Sequence, residues 1–133
     1  MLVSFVVTLG ACGGGGGNST YDSIDALVKD ANSSAELCRD FKAGSNDDDL
    51  ILPTSKATGD CLDDEAGVTV TLYDDEATTD KAADLLLRAA CGMGAELEMA
   101  RGANWLVFDS ESGTVDANAF AKAADGRVVT SDC

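Results

Sequence analysis

The stretch Val68-Thr-Val-Thr-Leu-Tyr73 and the stretch Thr78-Thr-Asp-Lys-Ala-Ala-Asp-Leu-Leu-Leu-Arg-Ala-Ala-Cys91 that follows it decide the fold class. The first alternates large apolar and small polar side chains, the period-2 pattern of a strand, so one face is expected to be buried and the other wet. The second places Ala82, Leu85, Leu86 and Ala89 on one stripe, the period of a helix. Gly92 and Gly94 then stop it.

The same logic extends in both directions. Upstream, Ala57 to Leu62 and Leu50 to Leu52 read as extended, with Pro53 forcing an edge position or a bend. Asp63-Asp-Glu-Ala-Gly67 reads as a hairpin turn. Tyr21 to Ala31 reads as an amphipathic helix with Ile24, Leu27, Val28 and Ala31 on its core face and Thr20, Asp22 or Ser23 as cap. Asn32-Ser-Ser34 ends or interrupts it, Ala35 to Phe41 is a candidate further turn, and Ala43 to Asp49 is a polar loop. Downstream, Glu96 to Ala100 and Trp105 to Phe108 form a hairpin around Arg101-Gly-Ala-Asn104. Val115 to Ala124 is a helix capped by Thr114 or Asp116 and stopped by Gly126, and Arg127 to Thr130 is a last strand. The order β-β-α, β-β-α suggests an internal repeat: Gly67 to Asp74 and Gly102 to Asp109 have the same spacing. The fold class expected is α+β, a two-layer sandwich with an antiparallel sheet of four or five strands and helices on one face.

Five cysteines punctuate the chain. Cys38, Cys61, Cys91 and Cys133 are an even set, which in an exported protein suggests two disulfides with three possible connectivities. Cys38–Cys61 and Cys91–Cys133 are expected, because each joins the end of a helical segment to the end of a later strand. A zinc site is disfavoured: there is no C-x-x-C pair and no histidine.

The remaining cysteine closes a different motif. Residues 2 to 11 are almost wholly apolar and uncharged, too short to span hydrocarbon about 30 Å thick but the length of a signal-peptide core. The competing reading, a buried strand with a structural Cys12, would put five glycines directly after a strand. Leu9-Gly-Ala-Cys12 resembles the lipobox of bacterial prolipoproteins. The resemblance implies cleavage before Cys12 and diacylation of its thiol. The Lys or Arg that opens such signals is missing after Met1 and is expected upstream. The organisation expected is a signal peptide at 1–11, a lipidated Cys12 with a Gly-rich tether at 12–19, and one domain at 20–133.

Every charge lies after Cys12, and the formal net charge is −15. Such a surface is repelled by anionic lipid and by nucleic acid, which is gripped by Lys and Arg. The expected partners are the membrane, through lipid on Cys12, and a basic protein; nucleic acid is not expected. The oligomeric state is not legible. The domain also resembles small actinobacterial lipoproteins and secreted proteins of unknown function, through Tyr21-Asp22-Ser23, Cys38, Cys61, Gly102-Ala103-Asn104-Trp105 and Gly126-Arg127-Val128-Val129.

Catalytic groups are hard to find. The absence of histidine removes the commonest general base and metal ligand. No G-x-S-x-G, P-loop or G-x-G-x-x-G motif is present. Asp109-Ser-Glu-Ser-Gly113 starts like an EF-hand loop, but its glycine falls one position early and Phe120 stands where the bidentate Glu belongs. Asp47-Asp-Asp49 and Asp63-Asp-Glu65 are read as solvated acidic loops. Trp105, the single tryptophan, is read as core. Asn18-Ser-Thr20 and Asn32-Ser-Ser34 match a glycosylation sequon, a coincidence in a bacterial lipoprotein. The expected function is therefore a non-enzymatic, lipid-anchored binding domain without cofactor. The alternatives are a phage- or plasmid-encoded exclusion or immunity lipoprotein and an acidic cation-binding module.

Overall fold

A computed structural model of the chain describes residues 18–33, 35–44, 55–62, 67–109 and 116–131. The elements are α1 (Ile24–Ala31), β1 (Lys42–Gly44), β2 (Ala57–Leu62), β3 (Gly67–Leu72), α2 (Glu76–Gly92), β4 (Glu98–Arg101), β5 (Trp105–Asp109), α3 (Ala117–Ala124) and β6 (Arg127–Thr130). The expected signal peptide at 1–11, Cys12, the candidate strand at 50–52 and the acidic stretches at 47–49 and 63–65, read as loops, lie outside the described residues.

Each helix starts where a side-chain oxygen can take an orphan amide. Ser23 accepts from the Ala26 N–H, Asp75 from the Thr78 N–H at 2.8 Å and Asp116 from the Ala119 N–H at 3.1 Å. These caps satisfy donors that the first turn of a helix leaves unbonded.

The strands form one open antiparallel sheet in the order β1-β2-β3-β5-β4-β6, an α+β fold. Among the described residues it has six strands, more than the four or five expected. The added strand is β1, in a stretch read as turn and loop: three residues are too few to carry a periodic signal. Gly59 of β2 makes room for the approach, since a Cβ there would collide with the Phe41 ring and the Lys42 carbonyl.

Strand β3 is central, and its alternation is used on both faces. Val68, Val70 and Leu72 pack with Trp105 and Val107 under α1 and α3, where Leu27 and Phe120 are buried. Tyr73, Leu106 and Phe108 face the other way, against Ala82 and Ala83 of α2. Thr69 and Thr71 lie on that second face, and both are buried. The face expected to be wet is thus covered, because α2 crosses to the opposite side of the sheet from α1 and α3. Each large apolar side chain so enclosed contributes about 1.5–3 kcal/mol of transfer free energy.

The buried stripe of α2 is Thr79, Ala82, Ala83 and Ala90, with Leu86 packed beside it. Leu85, expected in the core, is exposed. Small residues turned to the sheet let the helix sit close to it, and the leucine run begins on its outer side.

The suggested repeat is kept in the strand order of the sheet alone. Thr71 pairs with Leu106 across the β3–β5 junction, but the hairpins on either side differ in register, Thr71 facing Thr58 and Leu106 facing Arg101. A two-fold axis through that point would keep α2 and α3 on one face. They lie on opposite faces.

One disulfide joins Cys38 to Cys61, as expected. Asn32, just past α1, positions it: its amide accepts from the Cys38 N–H at 2.8 Å and donates to the Cys38 carbonyl at 2.9 Å. Cys91 is also a disulfide sulfur. The partner expected for it, Cys133, lies outside the described residues. No described helix is long and apolar enough to cross a membrane.

Candidate functional site

Polar groups converge at the end of the sheet where the N-terminal segment enters the fold. Three elements meet there: the Gly102–Asn104 turn between β4 and β5, the C-terminus of α3, and residues 18–21. Residues Asn18 and Ser19, assigned to the tether by composition, are bonded into the domain. Ser19 takes up four partners. Its N–H donates to the Asp125 carbonyl at 3.2 Å and its carbonyl accepts from the Ala103 N–H at 2.9 Å. Its hydroxyl donates to the Ala124 carbonyl and accepts from the Trp105 indole N–H at 3.1 Å. Arg127 donates to the Asn18 side chain at 3.1 Å.

Tyr21 continues the seam. Its N–H donates to Asn104 Oδ1 at 3.0 Å, and Asn104 Nδ2 donates to the Tyr21 carbonyl at 2.8 Å. Asn104 also bonds the carbonyl of Tyr73 at the end of β3, while its own carbonyl accepts the Tyr73 N–H. One side chain therefore ties the N-terminal segment, β3 and the β4–β5 turn together. The Tyr21 ring lies edge-on to Trp105 with centroids 6.2 Å apart, a favoured aromatic geometry. Its hydroxyl donates to Asp30 at 2.8 Å and lies 3.2 Å from the Ala124 carbonyl. Burial first, then the Asp30 carboxylate, push the Tyr21 phenol well above its ordinary pKa.

Two glycines let Trp105 fill this corner. A Cβ on Gly102 would collide with the indole and with the Ser19 carbonyl. A Cβ on Gly126 would meet the Arg101 carbonyl and the indole ring. The expected helix stop at Gly126 is thereby revised. Asp125 takes the left-handed conformation that ends α3, with φ 58°, and Gly126 is small because Trp105 lies against it. Beside this corner, Arg101 is buried at the end of β4. It donates to Asp80 of α2 at 2.7 Å and to the Gly102 carbonyl.

The seam holds the chain and offers little chemistry of its own. The Ser19 proton points at a carbonyl, so no base prepares that oxygen as a nucleophile. Among the described residues no group of three or more Cys, Asp or Glu side chains could hold a metal. Of the residues singled out in the sequence, Cys38 and Cys61 are brought together, Cys91 lies at the end of α2, and Cys12 and Cys133 are outside the described residues. The roles of Ser19, Tyr21 and Asn104 were not legible, because their contacts join segments 83 to 105 residues apart. The local clue is the Gly102-Ala-Asn-Trp105 turn, a small-residue step beside the single tryptophan.

In comparisons with protein-family models, curated proteins and solved structures, nothing matches this chain.

Proposed function

We propose that this protein is a lipid-anchored, non-enzymatic binding domain on the extracytoplasmic face of a bacterial membrane. The sequence support is Leu9-Gly-Ala-Cys12 behind an apolar, charge-free segment. The structural support is the seam. The chain is fastened at Asn18 and Ser19, so a lipid on Cys12 would sit six residues from the first described position that is bonded into the fold. A glycine-rich leash of that length has a root-mean-square span of about 12–15 Å. Anionic lipid repels a domain of charge −15 over about one Debye length, ~8 Å. The two lengths together hold the domain near the bilayer without laying it on the surface. The bonds of the seam run to a strand hairpin and a helix end at once, which suits a point where an anchor transmits load.

The test is fractionation of a bacterial host expressing the full chain and its Cys12→Ala variant. The parent is expected in the membrane fraction and the variant in the soluble extracytoplasmic fraction. Equal distribution of the two would contradict the proposal.

A further inference from the structure

Strand β6 is one rim of the sheet, and its pairing fixes which main-chain groups point outward. The Ser131 N–H donates to the Leu97 carbonyl at 2.9 Å, and the Leu97 N–H donates to the Ser131 hydroxyl at 2.9 Å. Leu97 and Ser131 are therefore a bonded position of the ladder. Antiparallel ladders alternate bonded and non-bonded pairs. Met99–Val129 and Arg101–Arg127 are then bonded, and Ala100–Val128 and Glu98–Thr130 are not. The N–H and carbonyl groups of Val128 and Thr130 consequently point away from β4, about 7 Å apart along the rim. Among the described residues no strand pairs with that side of β6.

Open rims are usually blunted by short length, lysine, proline or a bulge. The opposite rim, β1, is three residues long and starts at Lys42. The rim of β6 is Arg127-Val-Val-Thr130, and its single charge, Arg127, donates to Asn18. Val128 and Val129, both partly buried, pack against the cores on the two sides of the sheet, so the strand is held in place from both faces. This is a template for strand addition, in which main-chain bonds supply affinity and side chains supply selectivity.

The charge distribution selects the occupant. Exposed Asp125 precedes the strand, Glu98 stands opposite Thr130, and the chain as a whole carries −15. A second copy would bring the same charge, and a four-residue rim-to-rim contact falls far short of the roughly 1,200–2,000 Å² of a stable pairing. A cationic extended segment is free of the charge repulsion, and as a short flexible strand it can add to a four-residue rim without a second folded surface having to fit. We propose that the outer edge of β6 receives an extended, Lys- or Arg-containing segment of a partner protein as a seventh strand. The inference rests on the binding role proposed above for its biological meaning and on the sheet geometry for its location. Failure of lipidation would leave the peptide result standing, and the reverse also holds.

The test titrates the ¹⁵N-labelled, disulfide-intact chain with the peptide acetyl-Lys-Val-Thr-Val-Lys-Val-Thr-Lys-amide. The largest amide shifts are expected at Val128 and Thr130. Replacing the peptide's lysines with glutamates should abolish them. Thr130→Pro removes an outward N–H to which no described strand is paired, and should weaken binding by about tenfold or more. Shifts confined to other surfaces, equal binding by the acidic peptide, undiminished binding by a folded Thr130→Pro variant, or no binding at millimolar peptide would each overturn the proposal. The shifts in the unsubstituted chain decide the matter even if that variant does not fold.

Discussion

The indole N–H of Trp105 donates to the hydroxyl of Ser19, 86 residues earlier in the chain, at 3.1 Å. Trp105 is fully buried, so this serine is the acceptor for a donor that water cannot reach. The bond makes the N-terminal segment part of the core's polar accounting.

Ser19→Ala should therefore lower stability by about 1–3 kcal/mol, the cost of a buried donor left without a partner. Denaturant unfolding followed by Trp105 fluorescence measures it. An unchanged midpoint would mean that the seam is ornamental.

The corner glycine and its neighbour should respond in opposite ways. Gly126→Ala forces a methyl against the Arg101 carbonyl and the indole, at an expected cost of about 1–3 kcal/mol. Asp125→Gly relieves a left-handed non-glycine residue and should leave stability unchanged or raise it by less than about 1 kcal/mol. Thermal unfolding of the two variants decides whether Asp125 or Gly126 carries the helix stop.

The Cys38–Cys61 bond closes a span of 23 residues. In the chain-entropy account such a loop constrains the unfolded state by about 3 kcal/mol. The double variant Cys38→Ala/Cys61→Ala should lose roughly that amount while retaining its sheet signal in circular dichroism, since Asn32 still holds the Cys38 backbone.

Stability should fall at both pH extremes for different reasons. The Thr78 N–H bonded to Asp75 holds that carboxyl below its ordinary pKa. The cap is thus fully formed above the usual carboxylate range and lost as the pH falls below about 4. Asp75→Asn, which keeps an acceptor, should flatten the acid limb. The Tyr21 phenol is shifted upward, so its contribution is complete below its ordinary pKa of about 10 and is lost as the pH rises past it. Tyr21→Phe should flatten the alkaline limb. Chemical denaturation between pH 3 and 11 measures both.

Elements with a strong period were legible in the chain. The strand read at Val68 to Tyr73 is β3, and the helix read at Thr78 to Cys91 lies within α2. Arg127 to Thr130 and Ala57 to Leu62 fall on β6 and β2. Ser23 and Asp116 were among the candidate caps because short polar side chains can accept an amide at a helix start. The layer that each helix joins was not legible. Thr69 and Thr71 look like a solvent face until α2 is placed over them, and threonine tolerates either setting. The seam was hidden for a related reason. Ser19, Asn104 and Trp105 acquire their roles only from contacts between distant segments, which no local pattern encodes.

The measurement closest to the central claim is the intact mass of the N-terminal peptide of this protein, taken from the membrane fraction of its native host. The expected result is a peptide that begins at Cys12 and carries a diacylglyceryl group. A peptide with an unmodified Cys12, on protein recovered from the soluble fraction, would contradict it.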